Sequence, residues 1–297
     1  MRISDYTIRN LRTFCAVVEH GGFGAAQAVI GAGASVISTH VRDLEHVLGF
    51  QLCRRGRGGF AVTRKGQEVY HEARRLLASV ESCEANLDAL RRVLSGNLRV
   101  GIVDSEGDNP DLPVHAAIAR FLDREHEVHI SLEVAAPEIL AKGLQTGDIH
   151  VAIGPFHDRQ PNISYQPIYS ERHALYCGRD HPLFDLPAGE VTAEVLRGHV
   201  LSVRGYLRNT EFANLPDAQI GATVSNMEAQ AILIRSGRFL GFLPMHFART
   251  WVGRGEMREL RVAGLGWDSQ FWLALRRQPE PSKVVQKFSK DMLAALG

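Results

Sequence analysis

The chain has 297 residues, 45% of them hydrophobic and 23% charged, with a formal net charge of +1. That composition excludes disordered, collagenous and fibrous classes, and the length predicts two or three domains. No run approaches the roughly 18 apolar residues of a membrane helix. The amino terminus lacks the apolar stretch of a secretory signal, and four scattered cysteines (Cys15, Cys53, Cys83, Cys177) form no C-x-x-C pair. A reduced, cytoplasmic protein with no membrane partner is expected. The near-neutral total hides an asymmetry: residues 1–66 carry nine basic and four acidic side chains, while the remainder is net acidic. A small basic head on a larger acidic body points to a polyanionic partner for the head.

Taken in chain order, Leu11, Phe14 and the segment Ala16–Val18 give a helical apolar stripe, stopped by Gly21 and Gly22. A short small-residue helix, Phe23–Ile30, follows, and 31–34 reads as a turn. The next helix, Ser35–Leu48, buries Ile37, Val41, Leu44 and Leu48, spaced i, i+4, i+7 and i+11. Its other face offers Ser35, Ser38, Thr39 and Arg42, with His40 near the edge. Two short helices around a glycine-containing turn, the second with a polar outer face, predict a helix-turn-helix whose second helix reads DNA. Beyond Gly49, two β-like runs flank Arg54, Arg55 and Arg57, and Arg64 follows: a basic wing suited to phosphates or a minor groove.

From Thr63, read as an N-cap, a helix is predicted to about Leu94. Val69, Ala73, Leu76, Val80, Cys83, Leu87, Leu90 and Leu94 alternate spacings of four and three, an a/d heptad seam. Such a seam seeks another helix, either in its own domain or in a second copy, with Val69, Leu76, Val80, Leu87 and Leu90 as candidate dimerisation residues. After a break at 95–97, strands (Leu98–Val103, Val128–Val134, Asp148–Gly154) alternate with helices (Leu112–Arg124, Pro137–Gln145), predicting α/β layers with a largely parallel sheet and a ligand site beyond the strand ends. Ser225-Asn226-Met227-Glu228 is a capping-box pattern opening a helix to about Ser236, whose amides could hold an anion.

Leu11-Arg12-Thr13-Phe14, Phe23 to Ala26, Ser38, Leu44-Glu45, Leu48-Gly49, Arg54, Val62-Thr63 and Gly66 resemble, without a gap, the amino-terminal signature of LysR-type transcriptional regulators. Three departures stand out. Gly33-Ala34-Ser35 replaces the usual Ser-Gln-Pro, so Ala34 cannot make the family's glutamine contact and Ser35 is left to cap the helix or meet a phosphate; Gly22 and Gly24 replace Ser and Thr; and Cys53 replaces Phe. The body resembles the family's effector domain through Leu144–Gly154, Leu175–Leu183 (ending His181-Pro182-Leu183) and Gly237–Pro244.

The resemblance implies an α/β protein with an all-α-rich head: a winged helix-turn-helix (1–66), a long linker and dimerisation helix (67–95), and a two-lobed periplasmic-binding-protein-like α/β effector domain (96–297). Lobe one would span about 96–168 and 269–297, and lobe two about 169–268. It implies double-stranded DNA and self as partners, as a homodimer or homotetramer, with contact to RNA polymerase left open. It further implies an unidentified small-molecule effector held by Asp104, Ser105, Ala136, Pro137, Val203, Arg204, Ser225 and Asn226, and Arg204 is the side chain expected to clamp a carboxylate. No nucleophile elbow, Walker loop or H-E-x-x-H is present, so no catalytic residue is expected. His126/His129 and His150/His157 lack partners for a metal, so neither metal nor cofactor is expected. The alternative reading is a receptor of solute-binding fold without specific DNA readout.

Overall fold

The computed structural model describes the chain apart from residues 1–2, 57–58, 90–93, 125, 208–209, 212, 214 and 216–217. It forms two compact units, one of Met1–Arg92 with Gln145–Asp148, the other of Val93–Leu144 with Ile149–Gly297.

In the first unit, helices α1 (Asp5–Glu19), α2 (Phe23–Ile30) and α3 (Ala34–Leu48) precede a hairpin of β1 (Cys53–Gly56) and β2 (Gly59–Val62), and then α4 (Arg64–Ala89). Ser4 caps α1, and α2 and α3 both end on left-handed glycines, Gly31 and Gly49, which accept that backbone without a Cβ clash. Phe14, Val17, Ala26, Ile37, Val41 and Leu44 are buried in one core, to which α4 adds Ala73 and Leu77. The hairpin is antiparallel with Arg54 opposite Ala61 and Arg55 opposite Phe60. Thr63 Oγ1 accepts the Gly66 amide at 2.9 Å and so opens α4, as the sequence predicts. Gly66 itself lies against the Leu52 carbonyl, where a Cβ would collide.

Two expectations change here. The described part of the helix runs to Ala89 and Leu94 begins a strand, so Leu94 leaves the heptad seam; Leu90 lies outside the described residues. The seam is also divided in use. Val69 and Leu76 pack half-buried on the head's own core, whereas Leu87 is 59% exposed and Cys83 is exposed.

The second unit is built on a seven-stranded sheet in the order β10-β6-β11-β5-β3-β4, with β9 paired to β6. Its strands are β3 (Leu94–Ile102), β4 (His126–Val134), β5 (Val151–Gly154), β6 (Ile163–Gly178), β9 (Gly241–Pro244), β10 (Met257–Glu259) and β11 (Trp267–Arg276), and β7 (Val200–Arg204) pairs with β8 (Gln219–Val224) in a separate sheet. Helices α5 (Val114–Leu122), α6 (Pro137–Thr146), α7 (Ala193–Arg197), α8 (Met227–Arg235), α9 (Met245–Gly253) and α10 (Lys283–Ala295) cover the strands.

The predicted largely parallel sheet is instead mixed. β3 is parallel to β4 and β5, but β11 is antiparallel to β5 and β6, and β9 and β10 are antiparallel to β6. The long strands β6 and β11 explain this: they run together between two separate cores and need no helical crossover to pair. One core contains Leu98, Phe121, Ile153 and Phe288; the other contains Leu175, Leu201, Leu240 and Phe242. The pairing slips by one residue where Phe271 faces Tyr169 and Trp272 faces Pro167, between the two lobes.

Candidate functional site

The head's polar face is assembled as its periodicity requires. Ile37 and Leu44 point inward from α3, leaving Ser35 and Arg42 exposed and Ser38 and Thr39 half-buried. Ser38 and Arg42 share one groove with Gln51 and Arg54 of the wing. Glu45 fixes that groove, because its Oε1 accepts the amides of Leu52 at 2.7 Å and Cys53 at 3.2 Å, tying the wing to α3. Three details differ from expectation. Gly33, not Ser35, is the N-cap, so Ser35 sits inside the first turn. His40 turns toward α1, where its Nδ1 shares a 3.0 Å hydrogen bond with Thr13 Oγ1 and its ring meets Tyr6 edge-on. Arg64 is open to solvent and faces Glu68 at 3.5 Å. Arg57 lies outside the described residues, as does the side chain of Arg55.

In the body, a cavity of about 1030 Å³ opens beyond the ends of β3 and β4. Asp104, Ser105, Ala136, Ser225 and Asn226 line it, as the family pattern implies. The other expected residues do not. Val203 is fully buried in the second lobe's core, and Pro137 is buried at the start of α6.

Arg204 is the largest correction: it is 0% exposed and fully committed inside the protein. Its Nε donates to Glu211 Oε1 at 2.7 Å, its backbone amide to Glu211 Oε2 at 2.7 Å, and its Nη2 approaches His173 Nδ1 at 3.3 Å. Its Nη1 lies against Met227 Sδ at 2.5 Å, so a bound carboxylate could reach the guanidinium only by displacing these neighbours. The capping box is also displaced by one residue, since Asn226 Oδ1 caps α8 by accepting the Ala229 amide at 2.8 Å. The next free amide of that helix, Met227, donates to Asp104 Oδ2. Two amides of the helix end proposed for an anion are therefore already taken, one of them by the protein's own carboxylate.

What the cavity offers instead is an acidic wall. Asp104, Glu106, Asp108, Glu133 and Glu228 all contribute to its wall, and among the described residues no lysine or arginine does. Burial, and next the neighbouring Glu228, hold the Asp104 carboxyl above the usual aspartate range, against the pull of the Met227 amide. Val114, Ile118, Leu132, Val134, Ile139 and Phe247 add apolar surface to the same cavity.

Beneath the cavity lies a buried polar group that sequence reading missed. Glu106 Oε2 accepts from Asn109 Nδ2 at 2.7 Å and from the Tyr169 hydroxyl at 2.9 Å. Glu171 Oε2 meets His173 Nε2 at 2.8 Å, and Glu171 Oε1 lies 3.4 Å from His246 Nδ1. His246 Nε2 donates to the Ser105 carbonyl at 3.0 Å. Ser105 has a φ of 67°, a left-handed conformation that a serine adopts only under constraint. Burial drops His173 to about 4, keeping the ring neutral; its Nδ1 then accepts from Arg204 while its Nε2 donates to Glu171. Burial, and then the charge of Glu171, push Glu106 up to about 9. Nothing in the sequence spacing brings 106, 171 and 246 together. Glu211, seven residues after Arg204, was the one readable signal: a charge ending the apolar run Val200–Arg204 requires a buried partner.

Residues 8–67 match the model of the bacterial regulatory helix-turn-helix proteins of the lysR family, and residues 91–296 match the LysR substrate binding domain. The HTH-type transcriptional activator BauR of Pseudomonas aeruginosa is 33% identical over 288 residues, 97% of this chain and 94% of that protein. Among solved structures, a full-length OxyR variant from Pseudomonas aeruginosa superposes with a TM-score of 0.67 at 19% identity, covering 100% of this chain and 95% of that one. Full-length CbnR in complex with its target DNA superposes with a TM-score of 0.62 at 21% identity, covering 97% and 99%.

Proposed function

The chain belongs to the LysR family of transcriptional regulators, with a DNA-binding helix-turn-helix head and an effector-binding body, and from that premise we propose that its effector is a protonated organic amine with an apolar portion. The acidic side chains lining the cavity, Asp108, Glu133 and Glu228 foremost, with no arginine or lysine among its described lining, carry this reading. A cation would gain Coulomb attraction from several acids at once, while an anion would be repelled and would find the α8 amide taken by Asp104. The apolar surface removes hydrocarbon from water at about 25 cal/mol per Å².

Ser38, Thr39 and Arg42 are the proposed major-groove residues, with Ser35 and Arg54 on phosphates. His40 is reassigned from DNA to the support of α3. The exposed later part of the α4 seam, with Leu87, is the proposed self-association surface for a dimer or tetramer. Closure of the two lobes on the amine then alters DNA binding. No enzymatic step enters this account, since the family acts as regulators of transcription. Among the described residues no helix is long and apolar enough to cross a membrane.

The test is fluorescence anisotropy on the DNA upstream of the protein's own gene, with unrelated DNA as control, repeated across salt concentrations and then with matched alkylamines and alkylcarboxylates. Selective, salt-sensitive binding that shifts with amines but not with carboxylates is expected. Asp108→Asn with Glu228→Gln should weaken the amine response several-fold while leaving apo DNA affinity in place. A response to carboxylates alone would overturn the amine reading.

A further inference from the structure

Two carboxyl groups and an imidazole converge beneath the cleft, and a cation bound there would displace the proton that burial and Glu171 hold on Glu106. One carboxylate oxygen of Glu106, one of Glu171 and a ring nitrogen of His246 lie within 4.8 Å of one another. Glu106 is 5% exposed, and its Oε1 finds no hydrogen-bond donor among the described residues. His246 donates from Nε2 to the Ser105 carbonyl, which directs Nδ1 at Glu171 Oε1, 3.4 Å away. A histidine whose far nitrogen is fixed by a backbone carbonyl is oriented as metal-ligating histidines are. Glu106 is steadied in the same way through its other oxygen, by Asn109 and Tyr169.

We propose that Glu106, Glu171 and His246 form a binding site for one divalent first-row transition cation, with Zn²⁺ the cation that suits two carboxylates and an imidazole in so small a space. Ligand distances of about 2.0–2.2 Å place three such atoms roughly 3.3–3.5 Å apart, reached here by sub-ångström side-chain movement. The cation answers the unpaired Glu106 oxygen, separates two buried carboxylates and fills the gap between Glu171 and His246. Its ligands come from both lobes. Glu106 follows β3 of lobe one, whereas Glu171 on β6 and His246 on α9 belong to lobe two. A bound ion therefore ties the lobes directly under the effector cavity, whose wall includes Ser105 and Glu106. The expectation that the chain has no metal ligands rested on closely spaced histidines, and none of those takes part.

The experiment uses the full-length protein, stripped with a chelator, and titrates Zn²⁺ against nitrilotriacetate by calorimetry, with the thermal midpoint measured alongside. Glu106→Gln keeps the shape of the side chain and removes its charge; His246→Gln keeps a donor where Nε2 lies and removes Nδ1. His129→Gln, at an exposed position on β4, controls for surface histidines. Wild type and His129→Gln should each take up one Zn²⁺ that competes with the chelator and raises the midpoint. Glu106→Gln and His246→Gln should bind at least about ten-fold more weakly and show no such rise. Their metal-free midpoints report folding, and Glu106→Gln should fold close to wild type because it keeps the shape and the uncharged state that burial already favours. Absence of competitive Zn²⁺ uptake in wild type, or unchanged uptake in both folded variants, would show that protons alone occupy the cluster and would overturn the proposal.

Discussion

Replacing Glu211 by alanine isolates the burial of Arg204 from any part it has in ligand binding. Both side chains are 0% exposed, and Glu211 serves the guanidinium and the Arg204 amide through two 2.7 Å hydrogen bonds. The variant strands a buried charge and orphans a buried amide. Charges about 4 Å apart attract by about 4 kcal/mol at an effective dielectric constant of 20, and breaking one side of such a buried pair typically costs about 3–5 kcal/mol. At about 2–4 °C per kcal/mol for a body of this size, the midpoint should fall by about 6–20 °C.

The chain is well suited to the assay, because Trp251, Trp267 and Trp272 are its only tryptophans and all lie in the body. Their fluorescence follows the body's unfolding without interference from the head. Arg204→Met with Glu211→Leu removes both charges at similar volume and should recover most of the loss, leaving about 1–3 kcal/mol for the orphaned amide. That double variant should still answer the amine. If it folds and binds DNA but no longer responds, Arg204 reaches the effector after all. If Glu211→Ala alone costs less than about 1 kcal/mol, the burial argument fails.

Gly66→Ala should destabilise the head by about 1–3 kcal/mol, because its Cβ meets the Leu52 carbonyl and Val62; circular dichroism should register the loss while the tryptophan transition stays in place, and an unmoved head would refute the close-packing argument. Arg54→Ala should weaken DNA binding across sequences and reduce the slope of log K against log salt by about 1, whereas an unchanged slope would remove the wing from the phosphates. His181 is 5% exposed, accepts the Leu183 amide at 3.2 Å, and is held at about 4 by burial first and His199 second, against the ordinary 6.5. The unfolded chain binds that proton more readily than the folded one. The stability that His181 contributes is thus complete above about pH 6.5 and is lost as the pH falls toward 4, by up to about 3 kcal/mol. His181→Asn, which retains the acceptor, should flatten that acid limb in urea titrations; an equally steep limb would assign it to other groups.

The head was legible because its determinants are local. The spacing of Ile37, Val41 and Leu44 orients α3, Thr63 opens α4, and glycines end α2 and α3, all within a few residues of what they control. Even there, His40 illustrates the limit: it sits beside the buried face, and a tertiary partner, Thr13, decided which way it turned. The body's chemistry resists such reading because its ionisable groups find partners far away in sequence. Asp104 meets Met227, Glu106 meets Tyr169, and Glu171 meets His246.

The error over Arg204 has a physical lesson in the same terms. A lone arginine near a ligand cleft suggests a clamp, but Val200, Leu201 and Val203 make its strand a buried one, so the guanidinium needed an internal counterion before it could serve anything else. Once Glu211 satisfies it, the remaining acids of the cleft have no lysine or arginine among the described lining residues to balance them. The positive charge proposed for the effector rests on that subtraction, and not on the helix end where the sequence first suggested an anion.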